Sequence, residues 1–214
     1  MVDWSVYLVT DAERSAGRTT PAVVRAAVDA GVGVVQLRDK DANARDRLAV
    51  GRELRRITNR ADVPLIVNDR VDLALALDAD GVHLGDDDLP VPVARDLLGA
   101  DAIVGRSVST VDEARDAVAA GADYLGVGAI YPTDSKPDID EADFAIGCDR
   151  LREIATTVDV PIVGIGGIDP SNAKNVVRAG ADGVAVISAI TGAEAPAAAT
   201  RALRDAVESS RDAD

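Results

Sequence analysis

VDEARDAVAAGADYLGVGAI, residues 111–130, holds the reading on which the fold turns. Its first half spaces alanine and valine at helical period among charged residues and closes on Ala120-Gly121. Its second half is an aliphatic run that begins at once. Glycine at the joint supplies the left-handed backbone that closes a helix. A helix running straight into a buried strand is half of a right-handed βαβ unit, and such units build parallel sheets.

The same joint recurs at Ala30-Gly31, after TPAVVRAAVDAG (20–31), and at Ala179-Gly180, after SNAKNVVRAG (171–180). Eight aliphatic runs punctuate the chain: SVYLVT (5–10), VGVVQLR (32–38), PLIVND (64–69), GVHLG (81–85), AIVGRSV (102–108), ADYLGVGAI (122–130), PIVGIGGI (161–168) and ADGVAVISAI (181–190). Eight strand–helix units in 214 residues fit a closed (β/α)8 TIM barrel, one α/β domain over 1–214, better than an open doubly wound sheet. A G-x-G-x-x-G turn after the first strand of a unit, the mark of a dinucleotide-binding open sheet, is missing. In such a barrel the chemistry belongs to the loops after the strands, at the C-terminal mouth.

Composition agrees. Apolar residues make up 47% and aromatics only 2%, so Val, Ala, Leu and Ile must fill the core. No apolar stretch approaches a membrane span, and Met1 does not open a secretion signal, so a cytoplasmic protein without a membrane partner is expected. A single cysteine, Cys148, rules out an intramolecular disulfide and a cysteine-rich zinc site. The formal net charge of −14 repels nucleic-acid backbones and excludes them as partners. Only Lys40, Lys136 and Lys174 are lysines; excess acid with arginine in place of lysine suggests a protein adapted to high salt. The sequence does not fix the oligomeric state.

The strand ends carry the polar residues. Alternation puts Gln36, Arg38 and Lys40 on one side of the second run and Leu37 on the other, an arrangement suited to an anionic, oxygen-rich group. The alternative is a rim ion pair with Asp39, Asp41 or a neighbouring acid. The third run closes on Asn68-Asp69 and the fourth is followed by Asp86-Asp87-Asp88. Adjacent parallel strands lie about 4.8 Å apart, so acids from these two ends can reach one magnesium ion. A charge that closes a buried strand needs a partner, and Arg70 is the cation beside Asp69 in sequence; Asp72 can cap the next helix. Beyond the fifth run's Gly105-Arg106-Ser107 and the sixth run, Thr133, Ser135 and Lys136 form a second polar-ligand candidate, or a plain turn. Gly166-Gly167 and Ser188, after the seventh and eighth runs, fit a phosphate site, or else glycines needed only for packing. His83, the sole histidine, reads as packed or orienting, and no Ser-His or Cys-His pair suggests acyl-enzyme chemistry.

Taken together, these segments resemble the thiamine phosphate synthase family: YLVTD (7–11), VQLRDK (35–40), LIVNDRVDLAL (65–75), ADGVHLGDDDLP (79–90), GRSVST (105–110), ADYLGVGAIYPTDSKPD (122–138), PIVGIGGI and GADGVAVISAI (180–190). The resemblance implies a transferase that joins an aminopyrimidine methyl diphosphate to a thiazole phosphate, giving thiamine phosphate and diphosphate. It implies that Gln36, Leu37, Arg38, Asp39, Lys40, Asn68, Ser107 and Lys136 bind the pyrimidine diphosphate. Arg38, Lys40 and Lys136 would assist departure of the diphosphate. Thr133, Asp134, Ser135, Gly167, Ile187 and Ser188 would receive the thiazole phosphate, and Asp69 and Asp88 would hold one Mg2+. Three positions depart from the family pattern: Asp86 replaces a usual glutamine, Ala129 a frequent proline, and Ser135 a threonine. A thiazole phosphate tautomerase of the same barrel type, which needs no metal, and a non-catalytic phosphate-ligand sensor are the rival readings.

Overall fold

The computed structural model describes residues 1–133 and 145–211. Its strands are β1 (Val6–Val9), β2 (Val34–Leu37), β3 (Leu65–Asn68), β4 (Gly81–Leu84), β5 (Ile103–Val108), β6 (Tyr124–Gly128), β7 (Ile162–Ile165) and β8 (Gly183–Val186). They pair parallel in chain order, and β1 also pairs with β8, closing the barrel. Around it lie α1 (Thr20–Val28), α2 (Ala44–Ala61), α3 (Val71–Leu77), α4 (Val91–Leu98), α5 (Val111–Ala119), α6 (Gly147–Ala155), α7 (Ala173–Arg178), α8 (Ser188–Thr191) and α9 (Pro196–Arg211). The TIM barrel read from the joints is the architecture found.

The joints work as their glycines require. Gly31, Gly121 and Gly180 all take left-handed φ, at 88°, 93° and 107°. After each, the next amide reaches back five residues, Val32 to Ala27, Ala122 to Ala117 and Ala181 to Val176. Those bonds satisfy carbonyls the helix would otherwise leave open. Asp62 and Asp78 play the same part with φ of 56° and 49°.

Alternation along the strands makes two apolar layers. Leu8, Val35, Leu65, Val82, Leu125 and Val184 point outward under the helices. Tyr7, Val34, Ile66, Tyr124, Val163 and Ala185 fill the barrel itself. At the N-terminal rim an aspartate before each of β4, β6 and β8 ties neighbouring strands together. Asp80, Asp123 and Asp182 each donate an amide to the first strand residue of the preceding β-strand or its neighbour, and each carboxylate accepts an amide back. The returning donors are Leu65, Val104 and Ile162, at 2.7, 2.7 and 2.8 Å. Arg55 and Arg95 then pair with the first two carboxylates at 2.6 and 2.5 Å.

Two apolar runs are longer than their strands. PIVGIGGI stops being strand at Ile165, where Gly166 and Gly167 turn with φ of 101° and 63°. ADGVAVISAI stops at Val186 and becomes α8 from Ser188. Both breaks fall at the mouth.

Candidate active site

β3 and β4 end side by side, with Asn68 in register with His83. Asp69 follows β3 with a left-handed φ of 63°, a strained setting for a non-glycine residue, held by its amide donating to the His83 carbonyl at 2.8 Å. Of the three aspartates after β4, Asp88 is the one that folds back: its carboxylate accepts the Gly85 amide at 2.6 Å and shares a hydrogen bond with Asp69. Asp87 is exposed. Asp86 points away to Arg106 on β5, 2.6 Å distant, and Arg106 also holds the Leu84 carbonyl. The acid that replaces the family's usual glutamine is therefore half of a rim ion pair.

Burial first, then the hydrogen bond and charge of Asp88, push the Asp69 carboxyl up to about 6. Lys40 and Arg38 pull it the other way, which places two cations from the end of β2 around the acid pair. A small cavity at this point is lined by Asp39, Lys40, Arg47, Asn68 and Asp69. Arg70 is not the partner of Asp69 that adjacency suggested. It turns to Asp72, with contacts of 2.8 and 2.5 Å. Asp72 does not cap the helix either; α3 starts without a side-chain cap, and Asp72 lies in its first turn.

Arg38 does form a rim ion pair, but with Asp11, 3.2 Å away and just beyond β1. Thr10 fixes the same corner, exchanging hydrogen bonds of 3.0 Å with the Arg38 amide and carbonyl. Asp11 was missed because its partner lies on a neighbouring strand, 27 residues on. Leu37 packs in the layer beneath the helices. Gln36 lies deeper than its neighbours, 4% exposed, and donates to the Tyr7 hydroxyl at 2.8 Å. His83 is an interior residue, with Nδ1 against the Tyr124 hydroxyl and Nε2 against Ser107 Oγ, both at 2.9 Å.

Across the mouth, a side chain at Gly167 would strike Tyr131 and the Pro132 carbonyl, and one at Gly166 would strike Ala129. These glycines let the chain after β6 pass close over the end of β7. Ile187 is half-buried and Ser188 exposed at the start of α8. The far end of α8 is capped by Arg18, whose guanidinium reaches the Thr191 and Ala193 carbonyls at 3.1 and 2.5 Å. Thr133 is described; Asp134, Ser135 and Lys136 lie outside the described residues. Cys148 sits in the first turn of α6, 3.4 Å from the Tyr131 hydroxyl.

The donor set fits a hard divalent cation. Two carboxylates pressed together in a half-buried corner repel each other once both ionise, and a divalent ion between them relieves that. Among the described residues no third acid, histidine or cysteine joins them. Magnesium commonly binds this way, completing its oxygen shell from phosphate and water.

A TIM barrel with an acid pair and two cations at its mouth has the form of a barrel enzyme with its site at the C-terminal ends of the strands. Comparison with known proteins sharpens the class. Residues 6–190 match the family model described as thiamine monophosphate synthase, and the chain belongs to that family. It is 64% identical over 211 residues to the thiamine-phosphate synthase of Haloarcula marismortui, covering 99% of this chain and 100% of the relative. With the thiamine-phosphate synthase of Natronomonas pharaonis it shares 66% over 206 residues, 96% of each chain. The solved thiamine phosphate pyrophosphorylase from Pyrococcus furiosus superposes with a TM-score of 0.88 at 41% identity, over 97% of both chains. The protein is accordingly a transferase of thiamine biosynthesis. No helix among the described residues is long and apolar enough to cross a membrane.

Proposed function

We propose that this enzyme condenses an aminopyrimidine methyl diphosphate with a thiazole ethyl phosphate, releasing diphosphate and forming thiamine phosphate by a dissociative substitution. The observation that carries this reading is the meeting of Asp69 and Asp88 within the field of Lys40 and Arg38. Carboxylates that would hold a divalent ion and cations that would meet phosphate oxygens are then available to one diphosphate ligand.

In this reading Asp69 and Asp88 hold one Mg2+, which supplies charge neutralisation of the leaving diphosphate. Arg38, its direction set by Asp11, and Lys40 donate to diphosphate oxygens and take up the charge that grows as the carbon–oxygen bond breaks. Lys136 is assigned the same role. Gln36 and Ser107 take the pyrimidine ring, and Asn68 and Asp39, which line the cavity with Lys40, complete the pyrimidine diphosphate site with the Leu37 main chain. Thr133, Asp134, Ser135, Gly167, Ile187 and Ser188 hold the thiazole phosphate, so that the ring nitrogen meets the exposed methylene cation before water does. No side chain need act as nucleophile. The retained acid pair counts against the metal-free tautomerase, which has no use for it.

The test is diphosphate release from the two substrates with Mg2+ present. Release that stops on chelation with EDTA is expected. Metal-independent change of the thiazole phosphate alone would favour the tautomerase, and binding without turnover the sensor.

A further inference from the structure

Five side chains from five strands form one continuous hydrogen-bonded chain through the barrel interior. Gln36 Nε2 donates to Tyr7 Oη at 2.8 Å, and Tyr7 meets Tyr124 Oη at 2.8 Å. Tyr124 meets His83 Nδ1 at 2.9 Å, and His83 Nε2 meets Ser107 Oγ at 2.9 Å. The interior is shaped to admit it. A Cβ at Gly105 would lie 2.2 Å from the Tyr124 ring, and one at Gly126 2.9 Å from the His83 ring. Trp4 packs on Tyr124 with centroids 4.5 Å apart, shielding the chain from the other end of the barrel. Both tyrosines are buried, and burial raises both phenols above their ordinary range, so both stay neutral.

A neutral phenol has one hydrogen to give, so each link constrains the next. Gln36 donates to Tyr7, and each buried phenol hydrogen then takes the acceptor next along the chain: Tyr7 donates to Tyr124, and Tyr124 to His83 Nδ1. His83 then carries its hydrogen on Nε2 and gives it to Ser107, whose own hydroxyl hydrogen is left for a further acceptor. At the other end Gln36 keeps its Oε1 as an acceptor. Neither end can reverse without the other.

We propose that Tyr7, Tyr124 and His83 are positioning residues that fix Gln36 as a hydrogen-bond acceptor and Ser107 as a donor beneath the mouth, selecting a heteroaromatic ring that offers an amino donor and a ring-nitrogen acceptor. The assignment deepens the proposed function and rests on its placing of the pyrimidine at Gln36 and Ser107. A ring bearing an oxo group and a ring N–H in those positions presents the opposite pattern and would be rejected, since it leaves both ends facing like partners.

His83 is the sole histidine, so NMR of its ring nitrogens reads the chain's direction without ambiguity. A single neutral tautomer with hydrogen on Nε2 is expected in the intact protein. Gln36→Glu, an acceptor only when ionised in mildly alkaline solution, should turn every link round and move the hydrogen to Nδ1. In a Tyr124→Phe background the same change at position 36 should leave the tautomer unmoved. Tyr7→Phe cuts the chain one link earlier and serves if Tyr124→Phe does not fold. In turnover, Tyr124→Phe should raise KM for the pyrimidine diphosphate roughly tenfold, the size of one lost hydrogen bond, without moving KM for the thiazole phosphate. A His83 tautomer indifferent to residue 36 in the otherwise intact barrel overturns the proposal. So does a Tyr124→Phe enzyme whose two KM values change alike. An intact protein that turns over neither substrate would sink the functional reading instead, while the tautomer response would still report the chain.

Discussion

Asp69 combines a left-handed φ of 63° with a carboxyl pushed up to about 6 by burial and by Asp88. Its backbone strain and its charge strain are both borne at one residue, as at many functional positions. Asparagine tolerates that φ and removes the charge, so Asp69→Asn should fold at least as stably as the parent without metal. Turnover should fall by roughly two to three orders of magnitude, through lost electrostatic stabilisation of the leaving group. Unchanged turnover would remove Asp69 from the site. The pH dependence follows from the same carboxyl. Its pKa is higher folded than the ordinary 3.8, so the metal-free fold favours the protonated acid. That contribution to stability is fully present below about 3.8 and is lost as pH rises through about 6. A magnesium ion bound at Asp69, as proposed, would have to displace the proton, so its stabilising shift in Tm should be larger at neutral pH than near pH 5, roughly a unit below that value. Asp69→Asn should abolish the difference. Asp69 and Asp88 were legible because each ends or follows a buried run, and period-2 alternation marks Arg38 and Lys40. The Gln36-to-Ser107 chain was not legible: its central bond joins residues 117 apart, both tyrosines inside apolar runs.

At the scale of elements, the joints told most. Ala-Gly followed by an aliphatic run fixes a helix end, a strand start and a parallel neighbour together. Strand ends were less legible, because Gly166-Gly167 and Ser188 continue the apolar pattern while their backbone turns away. The Ala-Asp that opens GVHLG, YLGVG and GVAV also carries more than a joint. Each aspartate makes a two-point clamp on the preceding strand, a tie visible only once neighbouring strands are known. Asp123→Ala should leave the Val104 amide and Arg95 without this carboxylate. A cost of about 1–2 kcal/mol, or roughly 2–8 °C in Tm, is expected for a chain of this size. Turnover below the melting range should be untouched, since the N-terminal rim of a barrel serves stability and the chemistry lies at the other end. A thermal melt and an activity assay on the same sample check both halves.

For the whole molecule the question is how a chain of net charge −14 stays folded around a site proposed to take two anions. Locally, Arg38 and Lys40 answer it, together with the pairing of Arg106 to Asp86, which takes one acid out of the mouth's field. Globally, two electrostatic effects oppose each other. Ion pairs among the described residues lie at 2.5–3.6 Å and mostly on the surface, where each contributes about 0–1 kcal/mol. Repulsion among the surplus acids acts over longer separations. The screening length falls from about 10 Å at 0.1 M salt to about 3 Å at 1 M. Salt therefore removes the long repulsions first and spares much of the contact attraction. Tm should rise as potassium chloride is raised across that range, and the rise should be smaller in a variant with several exposed, unpaired acids such as Asp87 made neutral. A Tm that falls with salt would mean that the ion pairs outweigh the surplus charge, and that the acidic composition does not adapt this protein to salt.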